Sequence, residues 1–149
     1  MTKNSTNGRS LGSLLTFKTS LDDRGDLTVI EFLADLPFMP KRFYSVYNVP
    51  ATSVRGDHAH RTCQQVLVAL AGSVLVTLKD GLHEEEYLLD SPRQGLHIPA
   101  LVWGIQHGNT SNAVLGVFAS EPYDANEYIR DYEELLGLRG HQLSAGGRS

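Results

Sequence analysis

Apolar and polar residues alternate along most of this chain in short runs, and turn-forming residues interrupt the runs at frequent intervals. Leu14-Leu15-Thr16-Phe17 and Leu27-Thr28-Val29-Ile30-Glu31-Phe32 read as strands joined through the polar turn Asp22-Asp23-Arg24-Gly25-Asp26. Lys41 to Val49 is the next strand. Successive strand side chains point to opposite faces, so Arg42 and Tyr44 share one side and Phe43 and Ser45 the other. Val66 to Leu70 is apolar enough for a buried strand and stops at Gly72-Ser73. Val74, Val76 and Leu78 then alternate, and Lys79-Asp80-Gly81 closes a hairpin. Glu84-Glu85-Glu86 opens the following strand as a solvated edge, and Ala113 to Ser120 forms the last one. Only the C-terminal part changes period. Asp124-Ala125-Asn126-Glu127 has the capping-box pattern, and Tyr128, Ile129, Tyr132, Leu135 and Leu136 follow at helical spacing until Gly137 and Gly140. The pattern predicts an all-β jelly-roll barrel with a short C-terminal helix.

The 149 residues suit one domain, expected over 11–138 between disordered tails at 1–10 and 139–149. A formal net charge of −4 offers nucleic acid no electrostatic footing. Met1 to Ser10 holds no apolar run, and no segment approaches a membrane span, so a cytoplasmic protein is expected. Cys63 is the single cysteine, which excludes an internal disulfide and reads as a small buried filler.

Candidate chemistry concentrates in residues 53–72. His58 and His60 stand two apart, so on a strand both imidazoles face one cavity while Ala59 turns away. Arg55 and Gly56 precede them, a fixed cation beside a position where the backbone bends freely. His-x-His, then an acid, then glycine is the first metal-binding motif of cupin barrels. Here Gln65 takes the acid's place, and Gly104 falls where the second motif's histidine is expected. A catalytic transition metal needs about three imidazole or carboxylate ligands. No metal and no cofactor are therefore expected, with His107 the one substitute ligand. Trp103 is the only tryptophan, suited to core packing or to an apolar wall for a base or sugar.

Arg55-Gly56-x-His58-Ala59-His60, Gln65-Val66-Leu67-Val68, Gly72-Ser73, Asp80-Gly81, Leu89-Asp90-Ser91-Pro92, Gly95-Leu96 and Tyr128-Ile129-Arg130-x-Tyr132 resemble the cupin-type sugar 3,4-ketoisomerases. These act on dTDP-4-keto-6-deoxyglucose in deoxysugar biosynthesis. The resemblance runs from about Asp23 to Tyr132 and includes Lys41-Arg42-x-Tyr44. It implies a homodimeric, metal-free cupin jelly roll whose His58 and His60 move protons. Tyr44 is expected to donate to a sugar oxygen, and Arg42 and Arg55 to hold the diphosphate. Arg24, Asp26, Gln65 and Trp103 complete the expected substrate contacts. Shifting a carbonyl from C4 to C3 needs a base near pKa 7 and a donor for the enediolate, and imidazole and phenol fit those tasks. A non-catalytic small-molecule-binding cupin and a metal-dependent cupin oxygenase are the alternatives.

Overall fold

The computed structural model describes residues 10–146, with side chains as far as residue 140. Of the tails expected to be disordered, residues 1–9 and 147–149 lie outside the described residues, whereas residues 139–146 are part of the C-terminal helix. Twelve strands appear among them: β1 (Ser13–Thr16), β2 (Lys18–Ser20), β3 (Leu27–Val29), β4 (Arg42–Tyr47), β5 (Arg55–His60), β6 (Gln65–Ala71), β7 (Val74–Lys79), β8 (Glu84–Leu89), β9 (Gln94–Ile98), β10 (Trp103–His107), β11 (Val114–Ala119) and β12 (Tyr128–Ile129). Two helices join them, α1 (Phe32–Asp35) and α2 (Tyr132–Gly146).

The strands form two antiparallel five-stranded sheets, ordered β1-β9-β6-β11-β4 and β12-β5-β10-β7-β8, with β2-β3 as a separate ribbon. This is the expected jelly roll. Its interior lies between the sheets, where Leu67, Val74, Val76, Leu78, Tyr87, Leu89, Leu96, Leu115 and Val117 are buried. β6 is the continuous apolar run because both of its faces are covered: Leu67 packs into the barrel, while Val66 and Val68 pack outward under Phe17 and Leu36. β7 shows the clean alternation of a strand with one buried face.

Four expectations change. The strand from Leu27 ends at Val29, and α1 takes up Phe32. Glu84 and Glu86 are exposed on edge strand β8, but Glu85 is only 2% exposed. Its carboxylate accepts from the Leu11 N–H at 2.8 Å and the Tyr87 hydroxyl at 2.5 Å, so it fastens the start of the fold to the barrel. The capping-box segment opens no long helix. Asp124 caps a single 3-10 turn over Ala125–Glu127, and Tyr128 and Ile129 then add as β12 to β5. Glu127, free of a capping duty, reaches across to the Thr62 and Cys63 N–H groups instead.

The helix itself starts at Tyr132 and passes through Gly137 and Gly140 rather than ending there. Each glycine costs a helix about 1 kcal/mol. Tertiary contacts offset that cost. Leu135 and Leu138 pack on Trp103 and Ile129, and the Arg139 guanidinium donates to the Leu101 carbonyl and to Asp80. No helix among the described residues is long and apolar enough to cross a membrane.

Candidate active site

Strand parity places the histidines as expected. β5 puts His58 and His60 on one face, their ring centroids 4.9 Å apart and nearly perpendicular at 86°. The approach to the pair is bent: Gly56 and Asp57 both have positive φ, 74° and 57°, and the pairing of β5 with β10 shifts register at Gly104/Ile105. Such an irregularity re-aims the side chains beyond it. Asp57 is held in this unfavourable conformation by the Trp103 indole N–H, which donates to its carboxylate at 2.9 Å. The bend also turns the Gly56 carbonyl back onto His58 Nδ1, at 2.9 Å. A carbonyl can only accept, so Nδ1 carries the proton and Nε2 is left as the basic nitrogen.

Two spaces meet at His58. The inner one reaches between the sheets, lined by His60, Cys63, Gln65, Gly104, Gln106 and apolar side chains such as Leu67 and Val102. The outer one is an open cleft of about 500 Å³ whose walls include Arg42, Tyr44, Arg55, Tyr123, Tyr128 and Arg130. Three arginines and no carboxylate line the outer cleft, on a chain whose net charge is −4. The Arg42 guanidinium lies 5.3 Å from the Tyr44 ring centroid and 5.7 Å from that of Tyr123, and its buried Nε has no hydrogen-bond partner.

Burial sets the titration of the site. It pushes His60 down to about 4, with His58 and the nearby arginines acting the same way against Glu127. His58 is lowered too, again mainly by burial, against its bond to Gly56. Both rings are therefore neutral near pH 7. The Tyr44 phenol is pushed up to about 12 by burial and by Tyr128, so it keeps its proton. Gln65 Nε2 donates to the Tyr44 oxygen at 2.9 Å, which leaves the Tyr44 O–H free to donate elsewhere. Burial alone would raise Glu127, but donors from Thr62 and Cys63 outweigh it and hold the carboxyl below its usual range.

His58, His60, Tyr44, Gln65, Arg42 and Arg55 thus converge on one connected site. Other expected contacts lie elsewhere. Arg24 and Asp26 sit in the exposed β2–β3 turn, where Arg24 pairs with Asp22 at 2.9 Å, away from the cleft of their own chain. Trp103 does not form a wall for ligand. Its indole is buried under α2 against Tyr132, because its β10 side chain points to the face opposite the cavity. His107 lines neither space, and its Nε2 bonds Thr77 Oγ1 at 2.9 Å. With Gln65 and Gly104 beside the histidines, the donor set does not fit a transition metal. No group of three His, Cys, Asp or Glu side chains suited to a metal occurs among the described residues.

Tyr128, Arg130, Tyr123 and Gln106 line the site without having been singled out for it. Tyr128 and Arg130 stand two apart, the spacing of one strand face, a signal that the helical reading of residues 124–136 obscures.

A jelly roll with paired imidazoles between its sheets, opening to an arginine-lined cleft, has the architecture of a cupin-type barrel. Comparison with known proteins gives the particular family. Residues 11–139 match the family model described as FdtA: WxcM-like, C-terminal. The TDP-4-oxo-6-deoxy-alpha-D-glucose-3,4-oxoisomerase of Aneurinibacillus thermoaerophilus is 42% identical over 122 residues, covering 82% of this chain and 88% of that protein. A histidine-to-asparagine mutant of the 3,4-ketoisomerase QdtA from Thermoanaerobacterium thermosaccharolyticum, solved in complex with TDP-4-keto-6-deoxyglucose, superposes with TM-score 0.85. It is 38% identical, and the match covers 88% of this chain and 95% of that one. A 3,4-ketoisomerase from Helicobacter canadensis is 37% identical with TM-score 0.83, over 87% and 97% of the two chains. The chain belongs to this family and is an enzyme of the sugar 3,4-ketoisomerase class.

Proposed function

We propose that the protein converts dTDP-4-keto-6-deoxyglucose to its 3-keto isomer without a metal or redox cofactor. The observation that carries this reading is the meeting, at His58, of a neutral imidazole pair with a cleft whose charged lining groups are all cations. The nucleotide diphosphate lies against Arg42, Arg55 and Arg130, and the sugar reaches inward to His58. A cleft of about 500 Å³ lies within the usual range for small-molecule sites. Relatives bound to TDP-4-keto-6-deoxyglucose and to TDP support this choice of ligand.

In the reaction His58 Nε2 takes the proton from C3, and the C4 carbonyl oxygen becomes the enediolate oxygen. The Tyr44 O–H, freed by the Gln65 bond, donates to that oxygen as charge develops. His60 shares the proton with His58: the pair returns one proton to C4, and the proton that the C3 hydroxyl gives up as it becomes the carbonyl is passed through the pair to O4. The sugar gains and loses nothing. A neutral imidazole is suited to this work near pH 7.

The protein acts as a cytoplasmic homodimer in this reading. The apolar groups exposed around α1 and the outer face of β4 support the dimer, with Leu33 88% exposed and Phe32, Met39 and Phe43 about half exposed. A second copy covers them. Incubation with dTDP-4-keto-6-deoxyglucose in D2O, followed by NMR, tests the function. Conversion to the 3-keto sugar with deuterium at C4 is expected, and an unchanged sugar would overturn the proposal in favour of a non-catalytic binding role.

A further inference from the structure

Neither ring nitrogen of His60 has a hydrogen-bond partner, and His58 has only the Gly56 carbonyl. Hydrogen bonds therefore do not fix the mutual orientation of the two imidazoles, although torsions at such sp² rings are broad. Aromatic packing is what remains. Tyr128 lies opposite His60 in the β12–β5 register. Its ring centroid is 4.7 Å from that of His60 and 4.9 Å from that of His58, at 55° and 66°. With the 4.9 Å between the histidines, the three rings form a closed triangle.

Tyr128 is itself braced. The Glu127 carboxylate receives the Thr62 N–H at 2.9 Å, the Thr62 hydroxyl at 2.7 Å and the Cys63 N–H at 2.8 Å. The Arg61 N–H donates to the Glu127 carbonyl at 3.0 Å. These bonds tie the segment before Tyr128 to the turn directly after His60. On the other side the Arg130 guanidinium stands 4.8 Å from the Tyr128 ring centroid, and the Tyr123 ring is 5.8 Å away.

We propose that Tyr128 is a positioning residue, whose ring holds both imidazoles in the relative orientation that lets them address one sugar. This rests on the isomerase reading above. The ring acts through packing, and its hydroxyl takes no part in proton transfer. The ring's contacts also bury part of both imidazoles. The charged and titratable groups that act on the two rings are Arg130 and Asp57 for His58, and His58, Glu127, Arg42 and Arg130 for His60. Changing Tyr128 to another neutral residue keeps the charges of all these groups, and only Arg130 loses the ring it stands over.

The test compares Tyr128→Phe with Tyr128→Leu. The Leu variant should lose kcat by about 10- to 100-fold, as expected for misplaced reacting groups. Its KM should rise by less than its kcat falls, because Arg42 and Arg55 are untouched and only Arg130 loses its contact with the ring. The Phe variant keeps the ring and should match the wild type in both. Equal losses in the two variants would give the hydroxyl a chemical role and overturn the proposal, as would full kcat in the Leu variant. NMR titration of the imidazoles in the free protein supplies a readout that needs no turnover. In the Leu variant both rings should titrate closer to the ordinary histidine value, since burial is the main cause of their depression. Unchanged titration there overturns the proposal even if the substrate is wrong, whereas an altered titration without turnover would fault the isomerase reading alone. Tyr128→Met takes the place of the Leu variant if that chain does not fold.

Discussion

Holding His60 neutral has a consequence for stability that can be measured. The folded protein lowers this imidazole from 6.5 to about 4, and the unfolded chain returns it to the ordinary value. Between those values the unfolded state binds more protons, so folding stability falls as pH falls. The contribution is intact above about 6.5 and fully lost below about 4. At 1.36 kcal/mol per pH unit, a depression from 6.5 to about 4 corresponds to roughly 3 kcal/mol. That figure already includes the Glu127 carboxylate, which favours a protonated His60. Against a typical total of about 5–15 kcal/mol, the effect is large enough to see. His60→Asn removes the titrating group and keeps a polar side chain at the same place. Urea unfolding of both proteins from pH 7.5 to pH 4 gives the difference in stability at each pH. The Asn variant should gain on the wild type by up to about 3 kcal/mol across that range, with most of the gain below pH 6. Curves that stay parallel within about 0.5 kcal/mol would show that His60 is not held neutral by burial, and would remove a central support of the mechanism.

Arg42→Ala and Arg55→Ala should each weaken dTDP binding by about 1.5–3 kcal/mol in calorimetry, the worth of a charge-assisted hydrogen bond. Unchanged affinity in both would place the phosphates elsewhere. Gly72→Ala should lower the melting temperature. Its φ is +60°, and an added Cβ would stand 2.8 Å from the Ala113 Cα, so the left-handed backbone alone costs about 1–2 kcal/mol before the clash. Turnover should survive exhaustive EDTA treatment, given Gln65 and Gly104 beside the histidines. Activity lost to EDTA and restored by iron or manganese would contradict that expectation.

Local rules in the sequence, read beside the family resemblance, were enough for the barrel and for placing His58 and His60 on one strand face. Period-two alternation identified β7 and the face shared by Arg42 and Tyr44. The same parity brought His58 and His60 together, because strand side chains alternate whatever surrounds them. The glycine and aspartate turns marked most strand ends. What the tertiary structure decided involves residues far apart in the chain. Tyr128 and Ile129 fit a helical period, yet the open edge of β5 offered hydrogen bonds that a local helix could not match. Glu127 obeys the capping-box pattern, but its strongest partners are Thr62 and Cys63. Trp103 was as suited to a ligand wall as to the core, and the β10 face it occupies settled it beneath α2. Glu85 was one of three equivalent acids until the Leu11 amide met it. Parity within a strand is set by the backbone alone, whereas these outcomes depend on which neighbour folding supplies.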